Sequence, residues 1–136
     1  MKRCKLRKLG KQKISVVQRK LWRLCKEIIR KRYGNTCYTC STPGLQGRDW
    51  QTGHLFAKAS LGAYLKYDLR VLRPQCTRCN IFLGGMGAEF YERMLRIEGK
   101  EYMDKLLKDK QITVNAMDWY LKLLEEYKQI NASLSP

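Results

Sequence analysis

The sequence predicts a mainly helical α+β domain clipped by a metal site and carrying a strong positive charge. Three observations lead there. Two C-x-x-C pairs, Cys37/Cys40 and Cys76/Cys79, bracket an insert of 35 residues that contains two short strand-like stretches. On either side of that unit, apolar residues recur at helical spacing. The chain has 28 Lys and Arg against 12 Asp and Glu, a formal net charge of +16, which points to a polyanionic partner, most often nucleic acid. At 136 residues the chain suits one domain with a modest core.

The charge is one-sided. Residues 1–36 hold fourteen basic side chains and one acid, Glu27; the remaining hundred hold fourteen basic and eleven acidic. Residues 1–13, MKRCKLRKLGKQK, lack an apolar face and are expected to form a flexible basic tail, with residues 14–136 as the single folded domain. Ser15 and Gln18 have the spacing of a capping box. After them Val17, Leu21, Leu24 and Ile28 mark the apolar face of a helix that Gly34 closes. The other side carries Arg19, Lys20, Arg23, Lys26, Arg30, Lys31 and Arg32, so the helix can pack on its domain and still meet phosphates. Lys58 and Arg78 join these as candidate nucleic-acid contacts.

Residues 41–49 are turn-rich. Residues 50–56 read as a short strand, with Trp50, Thr52, His54 and Phe56 on one face by period two. Residues 69–73, LRVLR, read as a second strand that Pro74 stops. The glycines of GGMG, residues 84–87, break the chain. Helical periodicity then resumes with Phe90, Met94 and Ile97, closed by Gly99. A short helix follows on Tyr102, Met103, Leu106 and Leu107. A last one, capped by Asn115, turns Met117, Leu121, Leu124 and Tyr127 inward. These stripes are read as core.

Thiolates are soft ligands, and two C-x-x-C pairs close a tetrahedral Zn²⁺ site. The alternative is free thiols or disulfides. With no secretory signal in the sequence, a reduced compartment and a metal fit the pattern better. Because the spacing is longer than in a simple finger, the insert must form structure of its own. Cys25 sits beside the apolar stripe of the first helix and is read as a small buried hydrophobe; Cys4 is assigned no role.

His54, the one histidine of the chain, lies inside the insert, and Asn80 directly follows the second pair. Four thiolates already complete a zinc shell, so His54 is surplus as a zinc ligand. An imidazole can take a proton from water near neutral pH, and an amide oxygen can ligate Mg²⁺. A base, a metal-binding oxygen and surrounding cations are what phosphodiester hydrolysis needs. The plainer readings are a structural strand histidine and an asparagine that caps a helix.

The order of parts, CYTC, then TGHL, then LKYDLRVLRPQCTRCN, then the glycines of FLGG and YERMLRIEGKEYMDKLL, resembles the HNH (ββα-metal) nuclease superfamily. Within it the chain is most similar to the phage NinG/Rap recombination family, over about residues 37–107 and more loosely the helical C-terminus. The resemblance implies a treble-clef-like scaffold in which a zinc-clipped β-hairpin lies against a helix. It implies His54 as general base, Asn80 as a ligand of a catalytic Mg²⁺ or Mn²⁺, and Cys37, Cys40, Cys76 and Cys79 as the structural zinc site. It further implies hydrolysis of branched recombination DNA to 5′-phosphate and 3′-hydroxyl ends, in the cytoplasm of a bacterial host, with a homodimer and recombination proteins as candidate partners.

The sequence departs from the family pattern at three places. Gly53 stands where many HNH enzymes have a metal-binding acid. Val71 stands where a family asparagine orients the histidine, and Met86 where another asparagine follows the glycine turn. The nearest acids in sequence are Asp68 and Asp49, and Asp68 is carried forward as the candidate second ligand of the catalytic metal. The leading expectation is therefore a metal-dependent endonuclease. The alternative is a non-catalytic, zinc-stabilised nucleic-acid-binding adaptor, or a ribosomal type of RNA-binding protein. A basic membrane-surface helix and an Arg-rich transit peptide are the remaining readings; no window is long enough to span a bilayer.

Overall fold

A computed structural model describes the backbone of residues 2–114 and 116–135 and the side chains of 14–114 and 116–135. The chain opens with helix α1 (Lys2–Tyr33). The capping box does not start this helix. Ser15 lies inside α1, and the Gln18 amide donates to the Tyr120 hydroxyl at 3.3 Å. The side chains of the expected basic tail lie outside the described residues. Gly34, at φ 74°, ends α1 with its N–H on the Arg30 carbonyl at 2.9 Å.

Next comes the first cysteine pair, then a two-stranded antiparallel sheet of β1 (Gln51–His54) and β2 (Leu72–Gln75). Both strands differ from the sequence reading. β1 is four residues long, and residues 69–71 of the expected second strand form a 3₁₀ turn. Asp68 explains that turn: its carboxylate accepts the Arg70 N–H at 2.9 Å, holding the chain out of the strand. Nor does Pro74 stop the strand. It lies inside β2 opposite Thr52, which a proline tolerates on the edge of a two-stranded sheet. Its carbonyl accepts the Tyr38 N–H at 2.8 Å, tying the first cysteine knuckle to β2.

A short helix α2 (Ala63–Lys66) crosses between the strands. After the second cysteine pair a π-helical turn, Arg78–Phe82, leads through Gly84, Gly85 and Met86 into α3 (Gly87–Glu98), α4 (Lys100–Asp109) and α5 (Met117–Ser133). The expected cap at Asn115 lies outside the described residues.

The core forms where α1 packs on α5 and on the sheet. Val17, Leu21, Cys25, Ile28 and Ile29 of α1 meet Tyr120, Leu124 and Tyr127 of α5 in one buried cluster that also takes in Phe90, Met94, Met103 and Leu106. Three expected core residues are exposed and lie outside it. Leu121 is 46% exposed, because it stands about 100° of helical rotation from Tyr120, on which the buried face centres. Ile97 is 60% exposed, at the end of α3 where Gly99 turns the chain into α4. Leu107 is exposed as well. Cys25 is fully buried, as its place beside the stripe suggested, and its thiol lies 3.6 Å from the Tyr67 carbonyl. The Tyr127 hydroxyl donates to the same carbonyl at 2.5 Å, so one backbone oxygen joins α1, α5 and the insert.

Candidate functional site

The four cysteines of the two pairs converge. Their Sγ atoms all lie within 4.8 Å of one another, and Cys40 Sγ is 3.7 Å from Cys76 Sγ. A tetrahedron with Zn–S bonds of about 2.3 Å has edges of about 3.8 Å, so this donor set fits a zinc ion. The knuckles supply the usual polar surroundings: the Cys79 N–H points at Cys76 Sγ at 3.4 Å, and the Thr42 hydroxyl lies 3.0 Å from Cys40 Sγ. Burial pushes the Cys79 thiol up to about 12. A cation at the centre would reverse that tendency and hold the sulfurs as thiolates.

His54 ends β1 and is 9% exposed. Its ring stacks on Trp22 of α1, with centroids 5.2 Å apart and planes 5° from parallel. Its Nε2 lies 3.0 Å from the Lys66 carbonyl at the end of α2. A carbonyl only accepts, so Nε2 carries the proton and Nδ1 the lone pair in the neutral ring. Burial, with Lys58 and Lys66 nearby, lowers the pKa to about 4, although the Lys66 carbonyl works the other way. The imidazole is therefore neutral across the physiological range. Val71 is fully buried and its carbonyl accepts the Leu55 N–H at 2.8 Å. The Lys66 backbone oxygen and the Trp22 stack together hold the ring.

Two depressions meet at His54. One, of about 640 Å³, opens toward α1 and is lined by Arg19, Trp22, Arg23, Lys26, Lys58 and Lys66 among others. The other, of about 480 Å³, is lined by His54, Lys58, Asn80, Ile81 and the glycines after the π turn. The fold thus brings His54 and Asn80 to one concavity. The Asn80 amide nitrogen donates to Gln51 Oε1 at 2.7 Å, which orients the amide and leaves Oδ1 as its acceptor end. Among the described residues, no carboxylate lines this second depression.

Gly53 has a steric reason. A Cβ there would fall 1.8 Å from Gln75 Oε1, so Gln75 of β2 occupies the space a side chain at position 53 would need. The Gln75 amide nitrogen donates to Thr39 Oγ1 at 3.1 Å and to the Gly85 carbonyl at 2.9 Å, bridging the first knuckle to the glycine turn.

The remaining candidates are spread out. The Asp68 carboxylate is gripped by Arg70 at 2.7 Å, with Asp109 completing the group at 2.9 Å, and lies on neither lining. Asp49 accepts the Thr77 N–H at 3.2 Å. All nine candidate phosphate-binding side chains are exposed. Arg19, Arg23 and Lys26 face the His54 depression, and Arg30 lies over the Trp50 ring at 4.3 Å. Lys31 instead donates to the Asn131 carbonyl of α5 at 3.2 Å, and Arg32 lines a separate groove beside Asp68. Sequence reasoning missed Trp22, Lys66, Gln51 and Gln75. None carries a motif, and each matters through a contact made across the fold.

The molecule is thus a basic α+β protein with a four-cysteine cluster that could hold a zinc ion and a histidine–asparagine concavity beside a cationic helix. Over residues 1–135 the chain matches the family described as Bacteriophage Lambda NinG protein, and it belongs to that family. Membership implies a role connected with phage recombination. No curated protein and no solved structure matches the chain. Among the described residues, no helix is long and apolar enough to cross a membrane.

Proposed function

We propose that the chain is a metal-dependent, structure-selective DNA endonuclease of HNH type, with a treble-clef-like ββα core, that acts on branched recombination intermediates. The observation that carries this reading is the His54–Lys66 hydrogen bond. It holds the proton on Nε2 and leaves Nδ1 as a base, in a neutral ring on the wall that Asn80 shares. Arg19, Arg23 and Lys26 would seat the DNA backbone, and Nδ1 would take the proton of the attacking water. Asn80 Oδ1 would help to hold a Mg²⁺ or Mn²⁺ ion, whose charge would ease departure of the leaving oxygen. The ends formed are 5′-phosphate and 3′-hydroxyl.

The test is cleavage of labelled forks, four-way junctions and linear duplexes by purified zinc-loaded protein, with Mg²⁺, Mn²⁺ or neither. Metal-dependent cutting that His54→Ala abolishes is the expected result. No cutting of any substrate sinks the proposal. The second reading, a zinc-stabilised DNA-binding adaptor, is favoured by the lack of a carboxylate in the His54–Asn80 depression among the described residues. Tight binding unaffected by His54→Ala, with no cutting, would establish it.

A further inference from the structure

Directly after Asn80 the chain presents Ile81, Phe82 and Leu83, exposed by 58%, 77% and 46%. Three consecutive apolar side chains held out to solvent are costly to leave bare and call for a ligand. Their backbone is well braced. The widened π turn places the Leu83 N–H on the Arg78 carbonyl at 2.8 Å, and such turns often mark functional sites. Gly84, Gly85 and Met86, at φ 68°, 91° and 53°, then reverse the chain sharply. The Gly85 N–H returns to the Cys79 carbonyl at 2.8 Å, and its own carbonyl takes the Gln75 amide, so both ends of the apolar turn are fixed to the cysteine centre and the sheet.

We propose that this turn is a base-stacking wedge, with Phe82 as its point and Ile81 and Leu83 as its flanks, that enters DNA where stacking is already interrupted. The proposal rests on the reading of the chain as a DNA-acting protein but not on cleavage. Its charge setting favours a nucleobase over an apolar protein partner. Exposed Arg78 begins the turn, and exposed Lys58 stands in the depression that Ile81 helps to line. The chain as a whole has net charge +16. An apolar tip with Arg78 at its base and Lys58 on its flank fits a polymer with an anionic backbone and flat apolar bases. Proteins that kink DNA insert Phe, Leu and Ile in this way. Opening a stack costs least at a base that is already unpaired, so the wedge would discriminate branch points from continuous duplex without reading sequence. Ile81 also lines the His54–Asn80 depression, so an inserted wedge would set the backbone beside the branch against those two side chains.

The experiment uses the full zinc-loaded chain with no Mg²⁺ or Mn²⁺ added. The probes are a DNA fork carrying 2-aminopurine at the branch and a linear duplex carrying it centrally. Wild type should bind the fork more tightly and change the branch fluorescence. Phe82→Ala should lose on the order of tenfold in fork affinity, a typical loss for one stacked base, while duplex affinity stays unchanged. Phe82→Trp should restore both the affinity and the fluorescence change. Equal losses on fork and duplex, or no loss on either, overturn the wedge. So does a Phe82→Ala variant that dissociates a dimer in sedimentation yet keeps its fork preference, since the patch would then be a contact between copies. Absence of cleavage under Mg²⁺ would remove the endonuclease reading and leave this result standing.

Discussion

His54 and Lys66 are joined by a 3.0 Å contact between an imidazole nitrogen and a backbone oxygen, across twelve residues of chain. The ring's orientation therefore depends on the fold of α2 and not on any side chain of its own strand. If His54 is the base, His54→Ala should lower cleavage by about 10²–10⁴-fold, the usual contribution of a general base. Duplex affinity and zinc content should stay within about twofold of wild type, as single-turnover cleavage beside a binding titration would show. A loss of cleavage matched by an equal loss of binding would assign the ring a structural role.

The same burial sets a pH dependence of stability. The His54 pKa is lowered from 6.5 to about 4 in the folded chain, so the unfolded state binds the extra proton first as pH falls. The stability tied to this group is complete above pH 6.5 and is lost progressively as pH drops toward 4. The full effect is on the order of 3 kcal/mol. Denaturant melts at several pH values should show this slope in wild type and a flatter one in His54→Gln. Parallel slopes would count against a neutral buried imidazole.

Zinc should hold the fold together. Chelation, or Cys76→Ser, should remove stabilisation on the order of 10 kcal/mol and unfold the insert. Cys25→Ala should keep the full zinc content, since Cys25 touches the Tyr67 carbonyl and not the metal centre. Metal analysis beside far-UV circular dichroism distinguishes these outcomes. Zinc content that survives Cys76→Ser unchanged would contradict the assignment.

Gly53→Ala should destabilise by about 1–3 kcal/mol, because its methyl meets Gln75 Oε1 at 1.8 Å. Gln75→Ala in the same chain should relieve that clash, although it also loses the amide's two hydrogen bonds. A double-mutant cycle in urea measures the coupling. Strictly additive losses would mean that the two positions do not collide.

Neutralising Arg19, Arg23 and Lys26 together should weaken duplex binding for all sequences. Each lost phosphate contact should flatten the plot of log affinity against log salt by roughly 0.9 in slope. Neutralising Lys31 should do less, since it already reaches the Asn131 carbonyl. An affinity insensitive to salt would exclude the cationic face of α1 as the binding surface.

Local features were readable in the sequence. Cysteine spacing alone foretold a cluster that the fold closes to within 4.8 Å. The 3.6-residue period of Val17, Leu21 and Ile28 marked the buried side of α1, and Gly34 its end. What failed were features decided by one side chain acting on the backbone elsewhere. Asp68 captures the Arg70 N–H and delays β2, and an edge position lets Pro74 stay within the strand. Exposure at helix margins, as for Ile97 and Leu121, depends on where the chain turns and which face a partner covers. At the site, His54 and Asn80 were found by residue type and resemblance. Trp22, Lys66 and Gln75 were invisible because stacking, carbonyl contact and steric filling leave no pattern along the chain.

The near-parallel stack of Trp22 on His54 has an optical consequence. Indole emission is quenched by an adjacent protonated imidazole and much less by a neutral one. With Trp50 and Trp119 replaced by phenylalanine, the remaining indole would glow or dim with the protonation of the histidine beneath it. The molecule thus contains its own unlabelled indicator of that ring's charge, readable in a cuvette while DNA is added.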